Sequence, residues 1–172
     1  MNKLSFFLIA FLLIGFHSNA QYFQKQFEQD DNIDMVLVTK EMFSLINEIN
    51  SGKNKDLKDF YAQLSYLGMF NANNPASIDK IRRTAVDYVH SKDMKLLVKI
   101  KNSRKTADFY YVPADKPGYA KELILLVYYP QEKKISLLHV KGLINMKKLS
   151  YLALQATNID KELLQKAEQS VK

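Results

Sequence analysis

Cysteine is missing from all 172 residues, and that absence removes several kinds of chemistry at once. No disulfide, thiolate nucleophile, sulfur-ligated zinc or iron–sulfur cluster can be built from this chain. Tryptophan is missing too, so ten Tyr and ten Phe carry the aromatic load. Glycine is scarce, at five residues, and nowhere clustered, which excludes a glycine-rich phosphate cradle. There is no G-x-S-x-G elbow to present a hydrolase nucleophile. Past the N-terminal leader only His90 and His139 remain, and they are not at the i, i+4 spacing of a helical zinc pair. His90 falls near a predicted helix C-terminus, where positive charge is favoured. His139 falls in a strand next to Lys141. Ser136 precedes it on the same strand, but strand positions that face different ways do not make a catalytic triad.

What is present is the composition of a folded domain, 47% hydrophobic and 12% aromatic. The length suits one domain with a real core. The net charge of +7 comes from 25 basic residues interspersed with 18 acidic ones. That mixture reads as a solvated, mixed surface rather than a nucleic-acid site. The extreme N-terminus reads as an export signal. Lys3 is the positive n-region, Leu4 to Phe16 the apolar stretch, and Ser18-Asn19-Ala20 the small-residue cleavage motif. The apolar stretch is well short of the about 20 residues that a membrane span needs. A cleaved signal over residues 1–20 is therefore expected, with a periplasmic or secreted chain starting at Gln21. Lipidation at the cut would need a cysteine, so a lipoprotein is not expected.

Residues 21–34 read as a polar lead-in or a short helix that docks late, and 35–156 as a single α+β domain. Met35 to Thr39 is strand-like. Thr39 is placed to cap a helix with apolar positions Met42, Phe43, Leu45, Ile46 and Ile49. Residues 51–54 carry turn chemistry. Leu57, Phe60, Tyr61 and Leu64 predict a second short helix, and Tyr66 to Asn71 a strand. Asn74 and Pro75 mark a helix start, and the helix runs to about Ser91 with Ile78, Ile81 and Ala85 inward. From Met94 the period turns to alternation, with Lys95, Lys99 and Lys101 on one parity, interrupted by Leu97. Asn102 to Lys105 is a turn and Thr106 to Val112 a strand. Pro113 to Gly118 is a loop. Leu123 to Tyr129 is apolar on both parities, as in a strand buried on both faces. Ile135 to Val140 is the last strand of a four-strand antiparallel meander. Asn145 is the expected N-cap of a further helix, stapled by Ile144 and Leu149. The amphipathic segment from Ile159 to Val171, within residues 157–172, closes the chain. The fold class expected is thus α+β: an antiparallel sheet of four to six strands with amphipathic helices on one face. The second apolar face of the 122–129 strand then calls either for helices on both faces or for a partner.

The order of these parts, with Thr39-Lys-Glu-Met-Phe43, Asp56-Leu-Lys-Asp59, Met94-Lys-Leu-Leu97, Lys121-Glu-Leu-Ile-Leu-Leu-Val127 and Leu137-Leu-His-Val-Lys-Gly-Leu-Ile144, resembles an exported Bacteroidota family catalogued as domain of unknown function 4252. The resemblance covers roughly residues 30–155. It implies a small cell-envelope domain with no established activity, whose genes often lie near those of extracytoplasmic-function sigma factors, a hint of envelope sensing. Many members look like lipoproteins, whereas this chain lacks the required cysteine. No catalytic residue carries over from the family.

Candidate site residues follow from chemistry alone. Lys95, Lys99, Lys101 and Arg104 form a basic stretch beside Tyr110, suited to an acidic partner such as anionic headgroups, an acidic polysaccharide or an acidic protein. The same lysines would also protect a sheet edge against pairing. Tyr110, Tyr111, Tyr128 and Tyr129 would make an aromatic platform if their strands pair with them side by side. The function expected is a non-enzymatic envelope binding module that contacts an envelope protein or acidic surface, with no cofactor, no metal and no nucleic acid. The alternative is a small periplasmic hydrolase using a carboxylate pair drawn from Asp30, Asp31 and Asp34 or from Asp56 and Asp59.

Overall fold

The structure is a computed structural model that describes residues 21–49, 55–154 and 161–170. The expected export signal and the turn at 51–54 lie outside the described residues. Six strands form one antiparallel sheet: β1 (Asp34–Thr39), β2 (Leu64–Ala72), β3 (Lys95–Lys101), β4 (Thr106–Pro113), β5 (Tyr119–Tyr129) and β6 (Lys134–Asn145). Their order across the sheet is β1-β2-β6-β5-β4-β3, so the C-terminal four form the expected meander and β6 joins it to β2. The α+β expectation is met.

The helices are α1 (Tyr22–Phe27), α2 (Lys40–Ile49), α3 (Lys55–Ala62), α4 (Pro75–Ser91) and α5 (Lys161–Gln169). They cover both faces of the sheet rather than one. The first face packs Leu67, Met69, Phe109, Leu123, Leu125, Val127, Leu138 and Val140 against Phe43 of α2, Phe60 and Tyr61 of α3, and Leu164 and Ala167 of α5. The second face packs Phe70, Ile124, Ile135 and Leu137 against Phe23 and Phe27 of α1 and Ile78, Ile81, Ala85 and Tyr88 of α4. The physical reason is β5 itself. Leu123 and Ile124, adjacent and facing opposite ways, are both fully buried, so one helical layer cannot satisfy the strand.

Local signals account for most boundaries. Asn74 caps α4 through its side-chain oxygen, which accepts from the Ser77 N–H at 3.0 Å, and Pro75 occupies the first turn. The Asn102 carboxamide accepts from the Arg104 and Lys105 N–H groups, both at 2.9 Å, and closes the β3–β4 turn. Other boundaries shift. Leu64 continues the helical spacing of α3 but belongs to β2, because the chain at Gln63 meets Gly142 of β6. A Cβ at Gly142, whose φ is +142°, would collide with the Gln63 carbonyl and the Leu64 backbone. The helix expected from Asn145 is a 3₁₀ segment, Met146–Leu154, kinked at Lys148, while β6 runs on to Asn145 itself. Asn145 does accept the Lys147 N–H at 3.0 Å. Met146 and Leu149, three residues apart and both buried, suit a three-residue turn. The polar lead-in contains α1, whose Phe23 and Phe27 are completely buried.

Candidate functional site

The basic and aromatic residues expected to bind are divided by the sheet. Strand β3 carries a bulge between Leu96 and Val98, at the Leu97 that interrupts the alternation. Lys95 is in register with Tyr111, whereas Lys99 and Lys101 pair with Asp108 and Thr106, on the other face. The single lysine face is thereby corrected: Lys95 points away from Lys99 and Lys101. The aromatic platform is corrected too. Antiparallel register sets Tyr110 opposite Ile124 and Tyr111 opposite Leu123, while Tyr128 faces Thr106, four residues further along the strand. Tyr110 and Tyr128 share the α4 face but are not neighbours, and Tyr111 and Tyr129 pack on the opposite face.

What the fold does bring together is a groove on the α4 face. Helix α4 packs chiefly over β2, β6 and β5, and among the described residues the β4–β3 half of that face is only half-buried. Arg82 and Val86 of α4 form one bank of a hollow of about 290 Å³, whose floor is Thr106, Asp108, Leu126, Tyr128 and Ile135. The Arg82 guanidinium sits 4.8 Å from the centre of the Tyr128 ring, a cation–π contact. Lys99 reaches Asp108 at 2.9 Å, and the carboxylate raises the lysine above its ordinary range. Tyr110, Val112, Leu126 and Tyr128 are half-buried, and Leu96 is 48% exposed at the open edge. Arg104 stands exposed in the turn that follows β3. The surface is thus apolar in the middle and cationic on both banks, with Asp108 and Lys99 paired across its floor.

A second polar cluster lies deeper on the same face, and nothing in the residue patterning singled it out. Glu122 of β5 accepts from the Tyr88 hydroxyl of α4 at 2.6 Å and meets His139 Nε2 of β6 at 2.6 Å, with Lys141 Nζ at 3.5 Å. Register explains the convergence: Lys141 pairs with Glu122 on one side and Tyr66 on the other, and His139 lies between Gly68 and Ile124 on the next rung. Phe23 closes the cluster edge-on to His139, ring centres 5.0 Å apart. Burial drives the imidazole below its usual range, so His139 is neutral and donates Nε2–H to Glu122. Burial raises Glu122, but the hydrogen bonds and charges of His139, Tyr88 and Lys141 outweigh it and hold the carboxyl below its usual range. Burial likewise lowers Lys141 and pushes the Tyr66 hydroxyl up to about 12. A Cβ at Gly68 would strike the Tyr66 hydroxyl and the Phe70 ring, so glycine there makes room for the tyrosine beside His139.

A carboxylate, an imidazole, a phenol and an amine in contact could in principle move protons. Here the imidazole is fully buried, the carboxylate side chain is 12% exposed, and none of the four lines the hollow beside α4. The cluster clamps α4 to β5 and β6 and so sets the bank that carries Arg82 and Val86. Three of the other candidates, Ser136, Asp30 and Asp56, have structural partners. Ser136 donates to Asn71 at 2.6 Å on the face opposite His139, so the two do not meet. Asp30 accepts from Ser77 and pairs with Lys80 at 3.3 Å, and Asp56 pairs with Lys148 at 2.9 Å. His90 is exposed in the last turn of α4. Among the described residues no three metal-ligating side chains are grouped, and no helix is long and apolar enough to cross a membrane.

Fold and site together define a six-stranded, two-sided α+β domain with one half-open sheet face. The chain belongs to the family described as Domain of unknown function (DUF4252), whose sequence profile matches residues 27–152. No curated protein and no solved structure matches it.

Proposed function

We propose that the protein is an exported cell-envelope module that binds rather than catalyses, and that its binding surface is the groove between α4 and the β4–β3 half of the sheet. The observation that carries this reading is the half-buried floor of Leu126, Tyr128 and Asp108, with Arg82 of α4 on one side and Lys99 and Lys101 of β3 on the other. Half-buried aromatics supply contact area at low cost in conformational entropy, and the cationic banks select an acidic partner and speed its approach. Export is supported by the leader over residues 1–20, and a soluble rather than lipid-anchored exported form by the lack of cysteine. The test is capture from envelope extracts of the producing cells on the immobilised chain, followed by affinity measurement with the purified partner. Arg82→Glu with Lys101→Glu should weaken binding at least tenfold, whereas Lys147→Glu, in the 3₁₀ segment, should leave it unchanged. Equal binding by the groove variant and the wild type would discard the reading.

A further inference from the structure

The groove needs an occupant that combines exposed apolar side chains with acidic ones, and the chain itself carries such a surface. Helix α2 turns Phe43 and Asn47 inward. The Asn47 amide, oriented to donate to the Lys58 carbonyl at 3.2 Å and accept from the Ala62 N–H at 3.1 Å, ties α2 to α3 and fixes which side faces out. The outward side shows Met42 at 49% and Leu45 at 51% exposure, one turn apart, with Glu41 and Glu48 exposed beside them. The matching exposed apolar side chains are Val86 at 41%, one turn from Arg82 on α4, and Leu96 at 48%, which precedes Lys99 and Lys101 on the same face of β3 at the open edge.

Size and charge agree as well. The strip that is half-open among the described residues is about two strand spacings wide, roughly 10 Å, which is the separation at which one helix packs beside another. Glu41 and Glu48, seven residues and so about two turns apart, project from the same side of α2 as an acidic row about 10 Å long, which faces the cations of one bank. The two surfaces cannot meet within one molecule. Helix α2 packs on the first face and follows β1, the edge strand at one side of the sheet. The groove opens on the second face beside β3, the edge strand at the other, five strand spacings or roughly 24 Å away.

We propose that the groove's partner is a second copy of this chain, which seats the outer side of its α2, through Met42, Leu45, Glu41 and Glu48, between α4 and β3. The contact is head-to-tail, so each molecule offers one helix and one groove and assembly continues into a chain or closes into a ring. This inference rests on the groove being the binding surface and adds the identity of the partner.

Sedimentation velocity on the chain without its 20-residue leader, over about 1 µM to 1 mM, tests it. The wild type should pass beyond the dimer mass as concentration rises. Met42→Lys with Leu45→Lys removes the helix surface. Leu96→Glu with Lys101→Glu removes the groove and spares Lys99, whose loss would strand Asp108. All four sites are exposed, and far-UV circular dichroism and the thermal midpoint verify that each variant folds. Each variant alone should stay monomeric. Mixed in equal amounts, the two should form a heterodimer and stop, because one retains only a groove and the other only a helix. A monomeric wild type at the highest concentration, self-association that ignores both variants, or a mixture that fails to pair overturns the proposal. If the wild type stays monomeric yet captures an envelope partner that groove charge reversal abolishes, the self-partner inference alone falls. If reversal affects neither assay, the groove reading falls with it.

Discussion

Glu122 is the acceptor on which three side chains from two elements converge, Tyr88 of α4 and His139 and Lys141 of β6, and its environment sets how the protein responds to acid. His139 is neutral in the fold and titrates at its ordinary value, near 6.5, once unfolded. As pH falls below 6.5 the unfolded chain binds a proton that the folded chain refuses, so stability declines. Glu122 acts in the same direction. Its folded value lies below the ordinary 4.5, so the stability it contributes is present above 4.5 and is lost as pH falls through the folded value. Urea unfolding should therefore show a lower midpoint at pH 5 than at pH 7.5, and His139→Gln should flatten that slope while lowering stability at both pH values. An unchanged slope in the variant would place the acid sensitivity elsewhere. Patterning did not single this cluster out, although strand register carries half of it. The turn at 130–133 sets Tyr129 against Lys134, and counting back from it brings Glu122 to Lys141 and Ile124 to His139. Tyr88 was not legible, because the spacing of a helix tells which face is apolar but not which strand residue that face meets.

At the scale of elements, α4 and α1 stand at opposite ends of what local sequence can specify. Helix α4 has its start written in Asn74-Pro75 and 17 residues of amphipathic pattern. Helix α1 has six residues, no side-chain cap and no acidic residue in its first turn. A helix that short has no stability of its own and exists because Phe23 and Phe27 are buried against Phe70 and Tyr88. Phe23→Ala should thus cost about 3–5 kcal/mol, as truncation of a fully buried Phe does. It should also raise amide exchange along α1 and around His139, seen by hydrogen exchange, while α2 and α3 on the other face are unaffected. A loss under about 1 kcal/mol would mean α1 is not part of the core. The same contrast explains the binding residues. Lysines on one parity were legible, but the bulge at Leu97 that separates Lys95 from Lys99 and Lys101 arises in the pairing with β4. The four tyrosines were legible as strand residues, and their separation arises from antiparallel register.

At the scale of the whole molecule, the class of fold followed from alternation, turn residues and a both-parity apolar strand. The assignment of helices to faces did not, since any amphipathic helix can cover either side of a sheet until crossovers are known. The strand order itself has a consequence for how the chain reaches this state. Strands β3 to β6 join through short turns, so their contacts close small loops. Strand β2 instead meets β6 across pairs such as Ala72 with Ile135 and Leu67 with Val140, which close loops of more than sixty residues. The meander should gain amide protection first and the β1–β2 pair later, in pulse-labelled hydrogen exchange during refolding. Simultaneous protection of all six strands would contradict this order. Until β6 arrives, β2 carries Leu67, Met69 and Phe70 on an unpaired edge, so every newly made chain passes through an interval in which its first half is sticky and its last half is the remedy.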